Sequence, residues 1–206
     1  MLDLYIVRHG QTDTNKTGKM NGAGTDLPLN DQGIQQVKTL KASLDMNQID
    51  ALYTSPLQRA VQTAQILSQE QLPLQIDERL REIDYGDWDG QDEHWLQTHY
   101  PQVFDAWGYS TEEYTKYSTG ESYAHLGQRL LAFEQDLIKN NPHQKVLLVC
   151  HGTVGRVLVQ RLLGIDHVSQ LVEIANAAMV HLVVHEDSGQ VDLRYYNRKA
   201  PSNLME

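Results

Sequence analysis

The sequence predicts an α/β protein, a three-layer α/β/α sandwich around a mostly parallel central sheet with a C-terminal hairpin. Three observations carry this reading. Short apolar runs alternate along the chain with segments whose apolar residues recur at helical spacing. The strongest run, "VLLVC" at 146–150, is apolar throughout, as a strand covered on both faces of a parallel sheet must be. Strand and helix patterns alternate in chain order, which folds as helices packed over a sheet.

The elements follow in order. "LYIV" at 4–7 reads as a buried strand, and after a loop with several glycines Ile34, Val37, Leu40 and Leu44 form one helical stripe. "ALYTS" at 51–55 is the second strand. Ser55 as N-cap and Pro56 at the first helical position then open a helix carrying Leu57, Ala60, Val61, Ala64 and Leu67 on one face. "LPLQI" at 72–76 offers a third strand. From Asp77 to about Glu121 the pattern loosens into tryptophans, tyrosines and acids, and a lid or insertion is expected at about 84–121. Ser122 caps the next helix, with Leu126, Leu130, Phe133 and Leu137 facing inward and Pro142 beyond its end. Val154, Val157, Leu158 and Leu162 make a helix that Gly164 terminates. "AMVHLVVHE" and "VDLRYY", separated by "DSGQ", read as the hairpin.

Composition limits what such a fold can do. The 206 residues suit one well-buried core, so a single domain over 1–206 is expected. No apolar run approaches the roughly 20 residues needed to cross a bilayer, and the expectation is a cytoplasmic protein. Cys150 is the one cysteine and cannot form an internal disulfide. A net charge of -10 disfavours nucleic acid and membranes as partners. An anionic ligand must therefore be held by local charge. The sequence carries no signal for oligomeric state.

In an open α/β sheet, ligands bind beyond the carboxyl ends of the strands. There the first strand ends in Arg8, His9 and Gly10, the second leads through Ser55 to Arg59, and the strongest strand ends in Cys150, His151 and Gly152. Two arginines and two histidines converging at one place would be costly as packing, because unpaired buried cations are disfavoured. Such a cluster suits phosphate, whose oxygens the arginine fork matches. His181 and His185 lack a carboxylate cluster and read as hydrogen-bonded or solvated side chains, so no metal site is expected.

The same segments resemble a known family. "RHG" at a strand end, "SPLQRAVQTA" at 55–64, "LREIDYGDWDG" at 80–90, "GES" at 120–122 and "VCHGTVGRVLVQRLLG" at 149–164 are similar to the motifs of the histidine phosphatase superfamily, in its phosphoglycerate mutase-like branch. The resemblance implies that fold, and it implies that His9 is a nucleophile carrying the phosphoryl group. Arg8, Asn15, Arg59 and His151 would bind phosphate, and Glu82 would be the general acid and base. Asp84, Asp87 and Asp89 crowd the same loop, and it is the resemblance that selects Glu82. The implied substrate is a small phosphomonoester, releasing inorganic phosphate, with no metal cofactor.

Within that family the alternative is a mutase dependent on 2,3-bisphosphoglycerate. Similar mutases carry glutamate after the RHG triplet and adjacent arginines in the lid; this chain has Gln11, and between residues 83 and 128 Lys116 is the only cation besides histidines. That absence favours a phosphatase whose substrate choice is set by residues 84–125. Two other readings compete. Cys150 and Arg156 have the spacing of a cysteine-dependent tyrosine phosphatase, which leaves Arg8, His9, Arg59 and Glu82 without a role. A non-catalytic phospho-ligand-binding protein would not need a competent residue at every matched position.

Overall fold

Side-chain alternation in the first strand, β1 (Leu2–Arg8), sets the layers: Leu2, Leu4 and Ile6 point to one face, Tyr5 and Val7 to the other, and all five are buried. The fold is that of a computed structural model describing residues 1–200; residues 201–206 of the expected domain lie outside the described residues. Strand β4 (Lys145–Cys150) behaves the same way, with Val146, Leu148 and Cys150 on the first face and Leu147 and Val149 on the second.

Helix α1 (Asp13–Lys16) is a single turn in the loop after β1. Helices α2 (Asp31–Lys41) and α3 (Gln58–Ser68) cover the second face through Val37, Leu40, Ala60, Ala64 and Leu67. Helices α5 (Tyr123–Asn140) and α6 (Gly152–Leu163) cover the first through Leu126, Leu130, Phe133, Leu137, Val154 and Leu158. The α/β/α sandwich is therefore found as expected.

The six-stranded sheet has the order β3-β2-β4-β1-β5-β6, with β2 at Ala51–Thr54, β3 at Leu74–Ile76, β5 at Met179–Val184 and β6 at Val191–Arg198. β3, β2, β4 and β1 run parallel, whereas β5 is antiparallel to β1 and pairs with β6 as the expected hairpin. After β1 the chain crosses to β2 on one side; after β4 it crosses to β5 on the other. The switch of direction lies between β1 and β4, where neighbouring loops part and leave a crevice. Register does the rest. Arg8 pairs with Cys150, and Val149 pairs with both Val7 and Thr54, so His9, His151 and Ser55 leave the sheet almost level.

Ser122 accepts from the His125 N–H at 3.0 Å and caps α5, and Gly164 ends α6 with a φ of 64°. The start of α3 differs from expectation: the helix begins at Gln58, and Ser55 is not its N-cap. Asp26 supplies the cap from a distant loop, its Oδ1 accepting from the Gln58 N–H at 2.7 Å. Leu44 lies beyond the end of α2, which stops at Lys41.

The patternless stretch contains α4 (Glu93–His99) and several 3-10 turns. Its aromatic residues divide by environment. Trp88 and Tyr114 are buried and pack with Tyr100 and Phe104, while Trp95, Trp107 and Tyr117 are exposed. His181 bonds Asp3 and His185 bonds Asp192, at 2.8 and 2.9 Å, in line with the hydrogen-bonded reading. Among the described residues no helix is long and apolar enough to cross a membrane.

Because β4 is covered on both faces, truncating it opens a cavity that neighbours cannot fill. Leu148→Ala is expected to lower stability by about 2–5 kcal/mol, read as a reduced urea midpoint with an unchanged denaturant slope.

Candidate active site

The crevice between β1 and β4 holds a fully buried guanidinium. Arg59, in the first turn of α3, directs its Nε–H to both imidazoles, 3.2 Å from His9 Nε2 and 3.3 Å from His151 Nδ1. Its Nη1 donates to the Thr25 carbonyl at 2.5 Å, and Nη2 donates to those of Asn21 and Gly22 at 3.4 and 3.1 Å. All these partners are neutral. Burial lowers its pKa to about 10, and Glu82, Asp26 and Asp89 offset part of that effect from a distance. A buried cation without a contacting counter-ion attracts an anion.

His9 is buried, and its tautomer is set by the chain itself. Nδ1 lies 2.7 Å from the Gly10 carbonyl, which can only accept, so Nδ1 carries the proton and Nε2 keeps its lone pair. Burial, then the charges of Arg59 and Arg8, hold the His9 pKa well below the ordinary imidazole value. His151 sits 5.1 Å away, ring centroid to centroid, and burial and Arg59 lower its pKa likewise. Its Nε2 meets Ser55 Oγ at 2.7 Å. Because the Arg59 Nε–H donates to Nδ1, that nitrogen is the acceptor, so Nε2 carries the proton and donates to the serine hydroxyl.

Glu82 reaches the same place from the segment after β3. Its Oε2 accepts from the Thr153 N–H at 3.2 Å, and its Oε1 accepts from the Val154 and Ile83 N–H groups at 3.2 and 2.9 Å. A carboxylate at a helix N-terminus is electrostatically favoured, but burial outweighs that here and raises its pKa. Glu82 also borders a hollow of about 430 Å³ shared with Arg81, Asp84 and Arg129. A larger cavity of about 590 Å³, between α5 and α6, contains none of these residues.

Arg8 is half-buried at the end of β1, and its Nη1 contacts Glu173 Oε1 and the Ile174 carbonyl, each at 2.6 Å. Asn15 lies in a capping box with Thr12, where its Oδ1 accepts from the Thr12 N–H at 3.1 Å. It is tied to the site by Asn176, whose amide donates to the His9 carbonyl at 3.1 Å and to Asn15 Oδ1 at 3.4 Å. Cys150 is fully buried, and burial pushes its thiol pKa up, the reverse of what a thiolate nucleophile needs. Arg156 lies over the Tyr109 ring at 4.3 Å rather than facing an anion site.

Several contributors escaped sequence reading. Asp89 accepts from the Gly22 and Gly24 N–H groups at 2.6 and 2.9 Å, and so shapes the loop whose carbonyls hold Arg59. Arg129 donates to the carbonyls of Arg79 and Glu82 and pairs with Glu121, fixing the segment that bears Glu82. Asn176, Glu173 and Ser55 complete the group. Of these only Ser55, at the end of a strand beside the strongest one, had a positional signal. Gly10 is a packing residue, since a Cβ there would lie 2.6 Å from the Gly33 carbonyl of α2.

A family model described as the histidine phosphatase superfamily, branch 1, matches residues 4–197. The chain belongs to that superfamily. It is 31% identical over 167 residues to phosphoserine phosphatase 1 of Hydrogenobacter thermophilus, covering 81% of this chain and 78% of the relative. It is 32% identical over 162 residues to the adenosylcobalamin/alpha-ribazole phosphatase of Escherichia coli, covering 78% and 79%. Among solved structures, mycobacterial glucosyl-3-phosphoglycerate phosphatase in complex with VO3 superposes with a TM-score of 0.82 at 28% identity, over 95% of this chain and 98% of that one. These relatives support a phosphatase of the histidine phosphatase superfamily. Among the described residues no group of three or more His, Cys, Asp or Glu side chains could hold a metal ion.

The Asp89 contacts make a test of how this pocket is built. Asp89→Ala frees the loop that holds Arg59 and is expected to weaken inorganic phosphate binding about tenfold by titration calorimetry, with unchanged circular dichroism. Asp89→Asn, which keeps one acceptor oxygen, should fall between.

Proposed function

We propose that this protein is a metal-independent phosphomonoester hydrolase that works through a phosphohistidine on His9. The observation that carries the reading is the His9 tautomer: Nδ1–H is occupied by the Gly10 carbonyl, and the Nε2 lone pair faces the buried guanidinium of Arg59. A neutral ring is the nucleophilic form, and the depressed pKa keeps it neutral at working pH.

In the first step Nε2 donates its lone pair to phosphorus while the bond from phosphorus to the leaving oxygen breaks. Glu82, whose proton affinity burial raises, passes a proton to that oxygen. Arg8, Arg59, Asn15 and His151 carry the charge spread over the equatorial oxygens. In the second step water attacks phosphorus and gives its proton to the Glu82 carboxylate. The phosphorus–nitrogen bond breaks, its electron pair returns to Nε2, and inorganic phosphate leaves.

The substrate is a small phosphorylated metabolite. Support for hydrolysis over a mutase comes from the relatives named as phosphatases and from the lid segment, where Lys116 is the only lysine or arginine between residues 83 and 128. Purified protein that interconverted phosphoglycerates far faster than it hydrolysed p-nitrophenyl phosphate would reverse that choice.

Quenching turnover of p-nitrophenyl phosphate is expected to trap a phosphoprotein stable to base and labile to acid, absent in His9→Ala, with Cys150→Ser still active. A base-labile or Cys150-dependent adduct would overturn the assignment. Glu82→Gln should cost about 10²–10⁴-fold with an alkyl phosphate and far less with p-nitrophenyl phosphate, whose leaving group needs no proton. The sign of the pH dependence follows from the two shifts. Activity falls on the acid side as His9 protonates, below the usual imidazole value, and on the alkaline side as Glu82 ionises, above the usual carboxyl value. Glu82→Gln should erase the alkaline limb.

A further inference from the structure

The ion pair between Arg8 and Glu173 is unusual for a phosphate pocket, because it sets a carboxylate of the protein against one of the cations meant for the ligand. Both acceptors of Arg8, Glu173 Oε1 and the Ile174 carbonyl, take the same nitrogen, Nη1. The other edge of the guanidinium is treated differently: Nε is buried and has no hydrogen-bond partner among the described residues. A buried donor left unpaired is costly and marks a place where a ligand atom belongs. The Nε–Nη2 edge is the side-on fork that matches two oxygens of one tetrahedral anion.

Glu173 is also fixed in place. Its backbone N–H donates to the Tyr109 hydroxyl at 3.1 Å, and its carboxylate lies against the Cα of Gly152, where any Cβ would collide with it. Gly152 is the first residue of α6 and directly follows His151, so the carboxylate stands at the rim of the phosphoryl site. Its charge is felt by Glu82 and by Glu93, which is half-buried in the first turn of α4. No lysine or arginine of the 83–128 segment faces this rim to compensate, since Lys116 instead pairs with Glu113.

We infer that Glu173 is a specificity-determining residue: it orients Arg8 to grip a single phosphoryl group and repels any second anionic group on the same substrate. The favoured class is thus a phosphomonoester whose alcohol is neutral or bears an ammonium, and the disfavoured class carries a carboxylate or a second phosphate near the ester. This places part of the selectivity outside residues 84–125, on the loop between α6 and β5. The inference deepens the proposed phosphatase reading and rests on the same site.

The test separates binding from turnover. Dissociation constants for inorganic phosphate, phosphoethanolamine and 3-phosphoglycerate are measured by calorimetry on the wild type, Glu173→Gln and Glu173→Ala. The expected result is that both variants bind 3-phosphoglycerate about tenfold better relative to phosphoethanolamine than the wild type does, whatever happens to phosphate itself. A common loss for all three ligands, or an unchanged ratio, would overturn the inference, since a merely structural role moves the ligands together. Trapping of the phosphoenzyme from p-nitrophenyl phosphate is run in parallel. A shifted binding ratio without a phosphoenzyme would leave the charge filter standing and remove the hydrolase reading.

Discussion

A guanidinium buried without a contacting carboxylate is the constraint on which the rest of the structure turns. Arg59 is shielded from water, touched by two imidazoles and three carbonyl oxygens, and its charge is compensated only at a distance. Such an arrangement is destabilising in isolation and becomes favourable when an anion enters. It also acts on its neighbours: burial first, and then this fixed positive charge, lowers the proton affinity of both His9 and His151.

Holding that cation requires loops as much as strands. The three carbonyls that grip Arg59 belong to residues 21–25, a loop with no regular structure of its own, and Asp89 pins it from the far side of the site. Thr63 ties Gly10 to α3 by accepting its N–H at 3.2 Å while donating to the Arg59 carbonyl at 2.7 Å. Glu82 is presented in the same indirect way, through Arg129 and Glu121. The groups facing the crevice are therefore backed by polar side chains from different segments, and this is what keeps a polar site ordered.

The electrostatics work on two scales. The chain as a whole is acidic, at -10, while the crevice concentrates two arginines and two imidazoles from the ends of β1 and β4 and the first turn of α3. A strongly negative exterior screens polyanions and leaves short-range contacts to decide what enters. Glu173 extends that logic into the pocket itself, where it stands 2.6 Å from Arg8.

The strands and helices of the sandwich were legible because each buries apolar residues at a fixed period, a property local to the chain. The motif residues at strand ends were legible because a parallel sheet gathers its carboxyl ends at one edge. The true start of α3 was not, because Asp26, a residue far away in sequence, supplies its cap in place of Ser55. Helix α4 was hidden among aromatics whose burial depends on partners from other turns, as Trp88 and Tyr114 illustrate. Asn176 and Glu173 left no trace in the pattern, and Asp89 stood out only as one of several acids in the loop of Glu82, since a hydrogen bond or ion pair between distant loops imposes no periodicity on either. The sequence by itself determined the layers, the strand ends and the residue types available there. Only the tertiary structure decided which carboxylate faces which cation, because that pairing depends on distances that folding alone creates.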